Sequence, residues 1–326
     1  MHIKILHHKY YFGQSLPTFK SMDLSLLESR LNSYGFQTSL ITFEELQFED
    51  NEENCYYLCG SHQNIDVKAY LDDVLDLPNL SGKIIPSRRL IKAHENKGFQ
   101  GLIANSKGAP FESQEYFVEI KSIEEKKVIK LINGAGSGGV VLCNRGKELN
   151  KFIVFSSLMK IGLIRAAYFI RAKLNCLLRK NFSLEALDYY KPKERYVIQD
   201  FVPNLSCDYK VLVFMDKCFV LKRNVRKDDF RASGSGLFEF IEAPTELLDF
   251  SFNFRGLIGT PYISMDVIEK GNGEFSCIEF QCVHFGPYTQ MESDYYYLKE
   301  PSGWKVLKND TVLEDLIAYS VKRFLV

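Results

Sequence analysis

The sequence predicts a mixed α/β protein, with a small parallel-sheet domain at its start and an α+β region after it. Two observations lead to this prediction. Short apolar strands alternate with helical segments over residues 1–86, and consecutive strands interrupted by one long helical stretch follow. A chain of 326 residues is also long enough for about two domains of ordinary size.

The composition is that of an ordinary globular protein, with 46% apolar and 25% charged residues. The 41 basic residues equal the 41 acidic ones, so no overall positive field attracts nucleic acid, and we expect no nucleic-acid partner. The eight cysteines lack metal-site spacing and are expected to be reduced, mostly buried thiols. Without a signal-peptide pattern or a long apolar run, the chain is expected to be cytoplasmic.

The N-terminal elements follow a β-α-β order that is repeated once. In chain order we predict a strand at 2–6, a helix at 23–34, strands at 37–43 and 55–59, a helix at 65–75 and a short strand at 83–85. No GxGxxG follows the first strand, so the order does not indicate a dinucleotide site.

The remaining elements are richer in strands. They are a helix at 87–104, strands at 116–120, 127–132 and 140–143, a helical stretch at 146–190, strands at 196–201, 210–214, 218–224, 262–268 and 275–281, and a last helix at 312–324.

A glycine-rich segment, 133–139, joins two of these strands. Glycines free the backbone to present successive N–H groups to phosphate oxygens, and Lys130 ends the preceding strand, where it adds a positive charge. The segment lacks the ending of a Walker A loop. A flexible hairpin without a ligand is the alternative interpretation.

The predicted hairpin 262–281 carries a set of oxygen ligands. Glu279 and Gln281 share one strand face, and a simple closed register places Asp266 diagonally about 7–8 Å from Glu279. Carboxylate and amide oxygens suit Mg²⁺. An exposed acidic strand face is the alternative.

Basic residues adjoin a Gly/Ser segment in the region 208–236. The polar series comprises Asp208, Lys210, Lys222, Arg223, Lys227, Asp228, Asp229 and Arg231, and 232–236 reads Ala-Ser-Gly-Ser-Gly. Such a combination can bind a polyanion, although a solvated loop has a similar composition.

Taken together and in this order, these elements resemble the ATP-grasp superfamily, most closely its carboxylate–amine ligases, which include D-alanine:D-alanine ligases and ligases that add glutamate to a ribosomal protein. The resemblance covers about residues 86–290. It implies an ATP-grasp fold with an N-terminal α/β domain at 1–86, a central subdomain at 87–202 and a C-terminal subdomain at 203–326.

The resemblance also implies roles for individual residues. ATP would be bound by Lys97, Lys130, Gly134, Gly136, Ser137, Gly138, Gly139, Gln199, Asp200, Phe201, Val202, Asp208 and Lys222. Two Mg²⁺ ions, for which Mn²⁺ is a substitute, would be held by Asp266, Glu279 and Gln281, although the family usually has asparagine where Gln281 stands. Arg231, Arg223 and Lys130 would act in catalysis, and the acceptor would contact Arg231, Ser233 and His284.

The resemblance implies an ATP-dependent ligase that joins a carboxylate to an amine through an acyl phosphate, with a small molecule, a peptide or a surface saccharide as acceptor. A kinase on the same fold is the first alternative, because it needs the same metals and lysines. A regulatory module that binds ATP without turnover is the second.

The region 160–180 is a predicted basic amphipathic helix. Its basic residues are Lys160, Arg165, Arg171, Lys173, Arg179 and Lys180, and its apolar set is Leu163, Ala167, Ile170, Leu174, Leu177 and Leu178. Apolar stripes of this kind most often face a protein core, which we expect here. Peripheral contact with an anionic membrane is the alternative, and oligomerisation is left open.

Overall fold

The structure, a computed structural model, describes residues 1–49, 54–77, 80, 83–133, 138–178, 184–227, 229–284 and 286–326. These residues form two compact units. The larger unit contains Met1–Glu112 and Pro203–Val326, and the smaller unit contains Ser113–Val202. The three-part division expected at residues 86 and 202 stays a prediction.

The larger unit begins with alternating strands and helices. They are β1 (His2–His7), α1 (Leu24–Ser33), β2 (Gln37–Thr42), a 3-10 helix (Glu45–Phe48), β3 (Cys55–Cys59), α2 (Ile65–Val74), β4 (Ile84–Ile85), α3 (Arg88–Lys92) and α4 (Lys97–Ser106). The strands pair in parallel in the order β2-β1-β3-β4. Asp23 and Asn64 cap α1 and α2 by accepting backbone N–H bonds. This confirms the predicted parallel-sheet domain.

The single helix predicted at 87–104 is wrong, because the structure has two helices there, α3 and α4. Glu95 has a φ of 50°, which a right-handed helix does not continue through. Asn96 then caps α4 by accepting the N–H of Phe99 at 3.1 Å. Lys97 is therefore the first residue of a new helix.

The smaller unit combines an antiparallel sheet with three helices in its described part. Its elements are β5 (Gln114–Phe117), β6 (Lys127–Leu131), β7 (Val140–Cys143), α5 (Gly146–Lys160), α6 (Leu163–Leu177), α7 (Leu184–Tyr190) and β8 (Tyr196–Asp200). The strand order is β5-β8-β6-β7. The helical stretch predicted at 146–190 is interrupted at Gly162, which precedes α6 in an extended conformation.

The expectation that α6 faces a core is wrong. Ala172 is its only buried residue, whereas Leu163 is 90% and Leu177 is 71% exposed. The core of the smaller unit takes its helical contribution from α5, through Leu149 and Ile153, which pack against the sheet.

The larger unit continues with a second sheet. Its elements are β9 (Cys207–Phe214), β10 (Lys217–Asn224), β11 (Phe238–Glu239), α8 (Thr245–Ile258), β12 (Tyr262–Glu269), β13 (Phe275–Gln281), α9 (Tyr288–Glu292), β14 (Tyr295–Glu300), β15 (Gly303–Lys308) and α10 (Leu313–Leu325). Six strands pair antiparallel in the order β13-β12-β9-β10-β14-β15, and β11 pairs with β10.

The strands predicted within 196–281 are present, whereas α8 and the β14–β15 hairpin were not predicted from the sequence. In α8, Phe250, Phe252 and Phe254 alternate with polar residues at a period of two, which imitates a strand. Packing decides otherwise, since Leu247, Leu248 and Phe254 lie in the core beneath the sheet.

The second sheet has two different faces. One packs against α8, through residues such as Val211, Val213, Ile263, Met265 and Phe254. The other packs against α10, through residues such as Leu212, Phe214, Tyr262, Ile317 and Val321. Farther along β9, β10 and β12, the α10 face carries charged residues instead, because side chains at a spacing of two stay on the same face.

Two further expectations can be compared with the structure. All eight cysteines are free thiols, and six of them are buried, which confirms the prediction. Over the residues that the structure describes, no helix is both long enough and apolar enough to cross a membrane.

Candidate active site

Three charged residues form a row across the second sheet, which we call the charged row. Lys210 on β9 is paired with Asp266 on β12, and Asp266 is paired with Glu279 on β13. Directly paired residues in antiparallel strands project from the same face, with Cβ atoms about 4.5–5.5 Å apart. The pairing therefore brings the two carboxylates close together.

The diagonal placement predicted for Asp266 and Glu279 is wrong. The register shifts between Asp266 and Val267, so that Val267 pairs with Cys277 and Ile278 is an extra residue on β13. Such a bulge is not visible in a simple alternating pattern. It moves Glu279 directly opposite Asp266.

Asp266 lies in a buried network of charges. Its Oδ1 is 3.1 Å from Lys210 Nζ, and its Oδ2 is 2.9 Å from Arg223 Nη2. The same guanidinium donates to both oxygens of Asp208, at 2.6 and 2.8 Å. Two carboxylates thus face two cations, which satisfies the requirement that buried charges be paired.

The network sets the protonation of its carboxylates. Burial disfavours the charged form of Asp266, but Arg223 and Lys210 outweigh burial and hold its pKa below its ordinary value. Burial also raises the pKa of Asp208 to about 6, with a contribution from the charge of Asp266. Asp266 is therefore an anionic oxygen donor at neutral pH.

Asp208 is so placed that its loss should destabilise the protein. We expect Asp208→Ala to lower the free energy of unfolding by about 3 kcal/mol, because it leaves the buried Arg223 without its two-bond partner. Lys222→Ala is the matched control, since the more exposed pair of Lys222 with Glu239 should contribute less than about 1 kcal/mol. Chemical denaturation measures both; equal effects would contradict a structural role for Asp208.

Glu279 is paired with a cation from α4. Lys97 is 4% exposed, and its Nζ is 3.5 Å from Glu279 Oε1. Gln100, one turn further on, accepts the backbone N–H of Phe280 at 3.3 Å and donates to the carbonyl of Ala93 at 3.1 Å. These bonds fix the start of α4 against β13, which positions Lys97 beside the charged row.

Gln281 is held by the turn between α3 and α4. Its Oε1 accepts the backbone N–H of Glu95 at 3.2 Å, which fixes the orientation of the amide, and it is 3.1 Å from His94 Nδ1. This oxygen already accepts two hydrogen bonds, and it would have to give up at least one of them to bind a metal ion. The metal role of Gln281 stays a prediction.

A pair of buried histidines adjoins Gln281. The rings of His94 and His284 are 6.1 Å apart, and His284 Nδ1 accepts the backbone N–H of Gln14 at 2.9 Å. Burial and the charge of Lys68 lower the pKa of His94 to about 4, and burial also lowers the pKa of His284. Both imidazoles are therefore neutral at pH 7.

Three polar atoms around this pair are buried without a hydrogen-bond partner among the described residues: Ser61 Oγ, His94 Nε2 and His284 Nε2. Gly13 lies against them with a φ of 92°, and a Cβ there would come within 2.8 Å of His284 Nδ1 and 2.9 Å of Ser61 Oγ. Glycine is thus required at this position. Buried polar atoms without protein partners are uncommon, and water or a bound polar group would satisfy them.

The smaller unit carries the other predicted nucleotide contacts. Lys130 lies on β6, one of the two inner strands of the sheet, and is 6% exposed. Gln199 donates to the side chain of Gln114 at 3.3 Å, and the N–H of Asp200 bonds to the carbonyl of Ser113 at 3.1 Å. The ring of Phe201 lies under Lys126 at 4.3 Å, and Val202 ends the unit. Their nucleotide-binding roles stay predictions.

The glycine-rich segment is described only in part. Gly134, Gly136 and Ser137 lie outside the described residues. Gly138 and Gly139 are described, and Gly139 has a φ of 72° and accepts the N–H of Leu131 at 2.9 Å.

The remaining predicted residues lie in the larger unit. Arg231 is half-buried and pairs with Asp229, with Nη2 2.8 Å from Oδ2. Ser233, two residues later, is also half-buried. For its predicted role in catalysis, Arg231 would have to exchange the Asp229 carboxylate for a phosphate or another substrate anion.

The donor set of the charged row fits a hard cation, because carboxylate oxygens are the ligands that Mg²⁺ uses in proteins. The described residues contain no cluster of three or more histidine, cysteine, aspartate or glutamate side chains placed to hold a metal. Two protein carboxylates nevertheless suffice where phosphate oxygens and water complete the coordination. In this structure Asp266 forms ion pairs with Arg223 and Lys210, and Glu279 forms one with Lys97.

Comparison with known proteins gives a likeness in structure but not in sequence. No family model and no curated protein matches the chain. The D-cycloserine synthetase DcsG superposes with a TM-score of 0.54 at 9% identity, covering 100% of both chains. A D-alanine–D-alanine ligase from Bacillus anthracis in complex with ATP superposes with a TM-score of 0.52 at 12% identity, over 100% of this chain and 98% of that chain.

A third similar structure is the ATP-grasp ligase PsnB in complex with a minimal precursor, Mg and ADP. It superposes with a TM-score of 0.51 at 10% identity, over 99% of this chain and 98% of that chain. The chain therefore has the fold of the ATP-grasp ligases, with a parallel N-terminal sheet and antiparallel sheets after it. The predicted fold is confirmed.

Proposed function

We propose that this protein is a magnesium- and ATP-dependent ligase that joins a carboxylate to an amine. The observation that supports this proposal most is the charged row together with Arg223 and Lys97, which pair with its carboxylates. Two opposed carboxylates are thereby set beside three buried or half-buried cations within an ATP-grasp fold. Paired carboxylates and cations are what binding of metal and polyphosphate requires.

Asp266 and Glu279 would hold Mg²⁺, with Gln281 as the third oxygen donor, and Mn²⁺ would serve as a substitute. The bound ion would supply positive charge to the phosphate oxygens. The present partners of the carboxylates, Arg223, Lys210 and Lys97, then become available for other anions. The same side chains thus neutralise the carboxylates without ATP and the phosphates with it.

The reaction proposed here has two steps. An oxygen of the substrate carboxylate attacks the γ-phosphorus of ATP, the bond to the β–γ bridging oxygen breaks, and ADP leaves. The amine nitrogen of the acceptor then attacks the acyl carbon, the C–O bond to phosphate breaks, and inorganic phosphate leaves as the nitrogen loses a proton. Lys97, Arg223 and Arg231 would offset the charge that moves during these steps.

The histidine pair supports an acceptor site beside the charged row. His94 Nδ1 donates a hydrogen bond to Gln281, so the neutral ring of His94 has a lone pair on Nε2. His284 Nδ1 accepts a hydrogen bond from Gln14, so Nε2 of its neutral ring carries the hydrogen. A buried hydrogen-bond acceptor, His94 Nε2, and a buried hydrogen-bond donor, His284 Nε2, therefore need partners. An amide or hydroxyl group supplies both, which fits a peptide or saccharide acceptor, with Arg231 and Ser233 as further proposed contacts.

The test is a screen for ADP formation with amino acids, peptides and uronic acids as paired substrates, with and without Mg²⁺. We expect ADP release that requires a carboxylate, rises with an added amine and stops when a chelator removes the metal. A stable phosphorylated acceptor formed without an amine would instead show a kinase. Tight ATP binding without ADP release across the panel would show a regulatory module.

A further inference from the structure

The helices α5 and α6 of the smaller unit expose many large apolar side chains. Over residues 155–178 these are Phe155 (66% exposed), Leu158 (46%), Met159 (73%), Leu163 (90%), Ile164 (74%), Tyr168 (48%), Ile170 (56%), Leu174 (51%), Leu177 (71%) and Leu178 (63%). Single exposed apolar residues are ordinary on a protein surface, but a contiguous set marks an interaction site.

Four of the exposed apolar residues of α6 lie on one face, which we call the apolar face. At 3.6 residues per turn, Leu163, Ile170, Leu174 and Leu177 lie within an arc of about 100°. The buried residue Ala172 lies on the opposite side of the helix. The apolar face therefore points away from the part of the unit against which α6 packs.

Positive charge borders this face on both sides. At the same helical spacing, Arg171 falls on one flank of the apolar face and Lys173 on the other. Residues 149–178 contain five basic residues and no acidic one. A surface of this kind is complementary to a layer that is negatively charged outside and apolar inside.

A second copy of the chain fits this face less well. If two copies packed through this face, Arg171 and Lys173 of one copy would lie close to Arg171 and Lys173 of the other. Residues 149–178 contain no acidic side chain that could compensate these positive charges. Like charges held together in this way oppose association.

We propose that the apolar face docks onto an anionic lipid surface, with Leu163, Ile170, Leu174 and Leu177 entering the boundary between headgroups and acyl chains, and Arg171 and Lys173 contacting lipid phosphates. An amphipathic helix lying in the plane of the interface binds through buried apolar area together with attraction to anionic lipid. The inference does not depend on the ligase reaction, because α6 carries none of the residues proposed for it.

The test is co-sedimentation of the full chain with vesicles of phosphatidylcholine alone or mixed equally with phosphatidylglycerol. We expect binding to the anionic vesicles that weakens as salt is added. Leu163→Gln combined with Leu177→Gln should reduce binding about tenfold or more. Arg171→Gln combined with Lys173→Gln should also reduce it about tenfold or more and flatten its salt dependence.

Matched controls come from exposed residues of the larger unit. Leu102→Gln, at a position that is 52% exposed on α4, and Lys20→Gln combined with Lys308→Gln, both at exposed positions, should sediment like the wild type. Circular dichroism melting confirms that every variant is folded. Absence of wild-type binding, equal binding to both kinds of vesicle, or equal loss in the controls would overturn the proposal. So would a concentration-dependent dimer that the Leu163 and Leu177 variant abolishes while no vesicle is bound.

Discussion

Replacement of Glu279 by glutamine should reduce ATP turnover by about 10²–10³-fold while the protein keeps its melting temperature. Glutamine retains the shape of the side chain but removes the negative charge opposite Asp266, so the pair of carboxylates that would bind the metal is lost. The side chain of Glu279 is 25% exposed, and the amide oxygen of glutamine can still accept a hydrogen bond from Lys97, which is 3.5 Å from the carboxylate, so the loss of charge should affect stability little. A coupled assay of ADP release and thermal unfolding together measure these effects.

Glu274→Gln is the matched control for this change. Glu274 lies in the turn of the same hairpin, is exposed and is outside the charged row, so the same loss of one charge should leave turnover unaltered. Retained ADP release in Glu279→Gln, or an equal loss in Glu274→Gln, would contradict a role for the carboxylate at 279.

Replacement of Lys97 by methionine should weaken ATP binding by about 10–100-fold. Methionine matches the length of lysine and suits a position that is 4% exposed, so the cation is removed without opening a cavity. The loss leaves one fewer cation near the charged row to face the phosphates. Calorimetric titration with ATP and Mg²⁺ measures the change in affinity.

Lys107→Met, at the exposed C-terminal end of the same helix, removes the same charge from α4 at a distance of ten positions in the sequence. This variant should bind ATP with the wild-type affinity. If both variants bind ATP as tightly as the wild type, Lys97 does not contact the nucleotide.

Much of the fold was predictable because the patterns that specify it are local. The parallel sheet at the N-terminus follows from apolar strands that alternate with capped helices, and β3, β7 and β13 have the predicted bounds. The hairpin that carries Asp266 and Glu279 was predictable from alternation and from its turn residues.

The parts that were not predictable depend on packing between distant segments. The bulge at Ile278 has no signature in the alternation of the strand, yet it decides that Glu279 lies opposite Asp266. Lys210 belongs to the site only because β9 lies next to β12 in the sheet. The sequence did indicate that Lys210 and Asp208 share one strand face, because they are two residues apart.

The contacts of Gln281 were also inaccessible from the sequence. His94 reaches it across 187 positions, and the turn that places it exists because Glu95 interrupts the helix. Likewise, the periodicity of α6 indicated an apolar stripe, but it did not indicate whether that stripe is buried in the protein core or exposed. The structure shows that α5 supplies the helical part of the core instead.

The central claim is that Asp266 and Glu279 together hold the metal that accompanies ATP. A crystal structure of the protein with Mg²⁺ and a non-hydrolysable ATP analogue tests it most directly. We predict a metal ion about 2.0–2.1 Å from an oxygen of each carboxylate, with Lys210 and Arg223 separated from Asp266. Nucleotide bound elsewhere, or Asp266 still paired with Arg223 and Lys210 at saturating Mg²⁺, would contradict the claim.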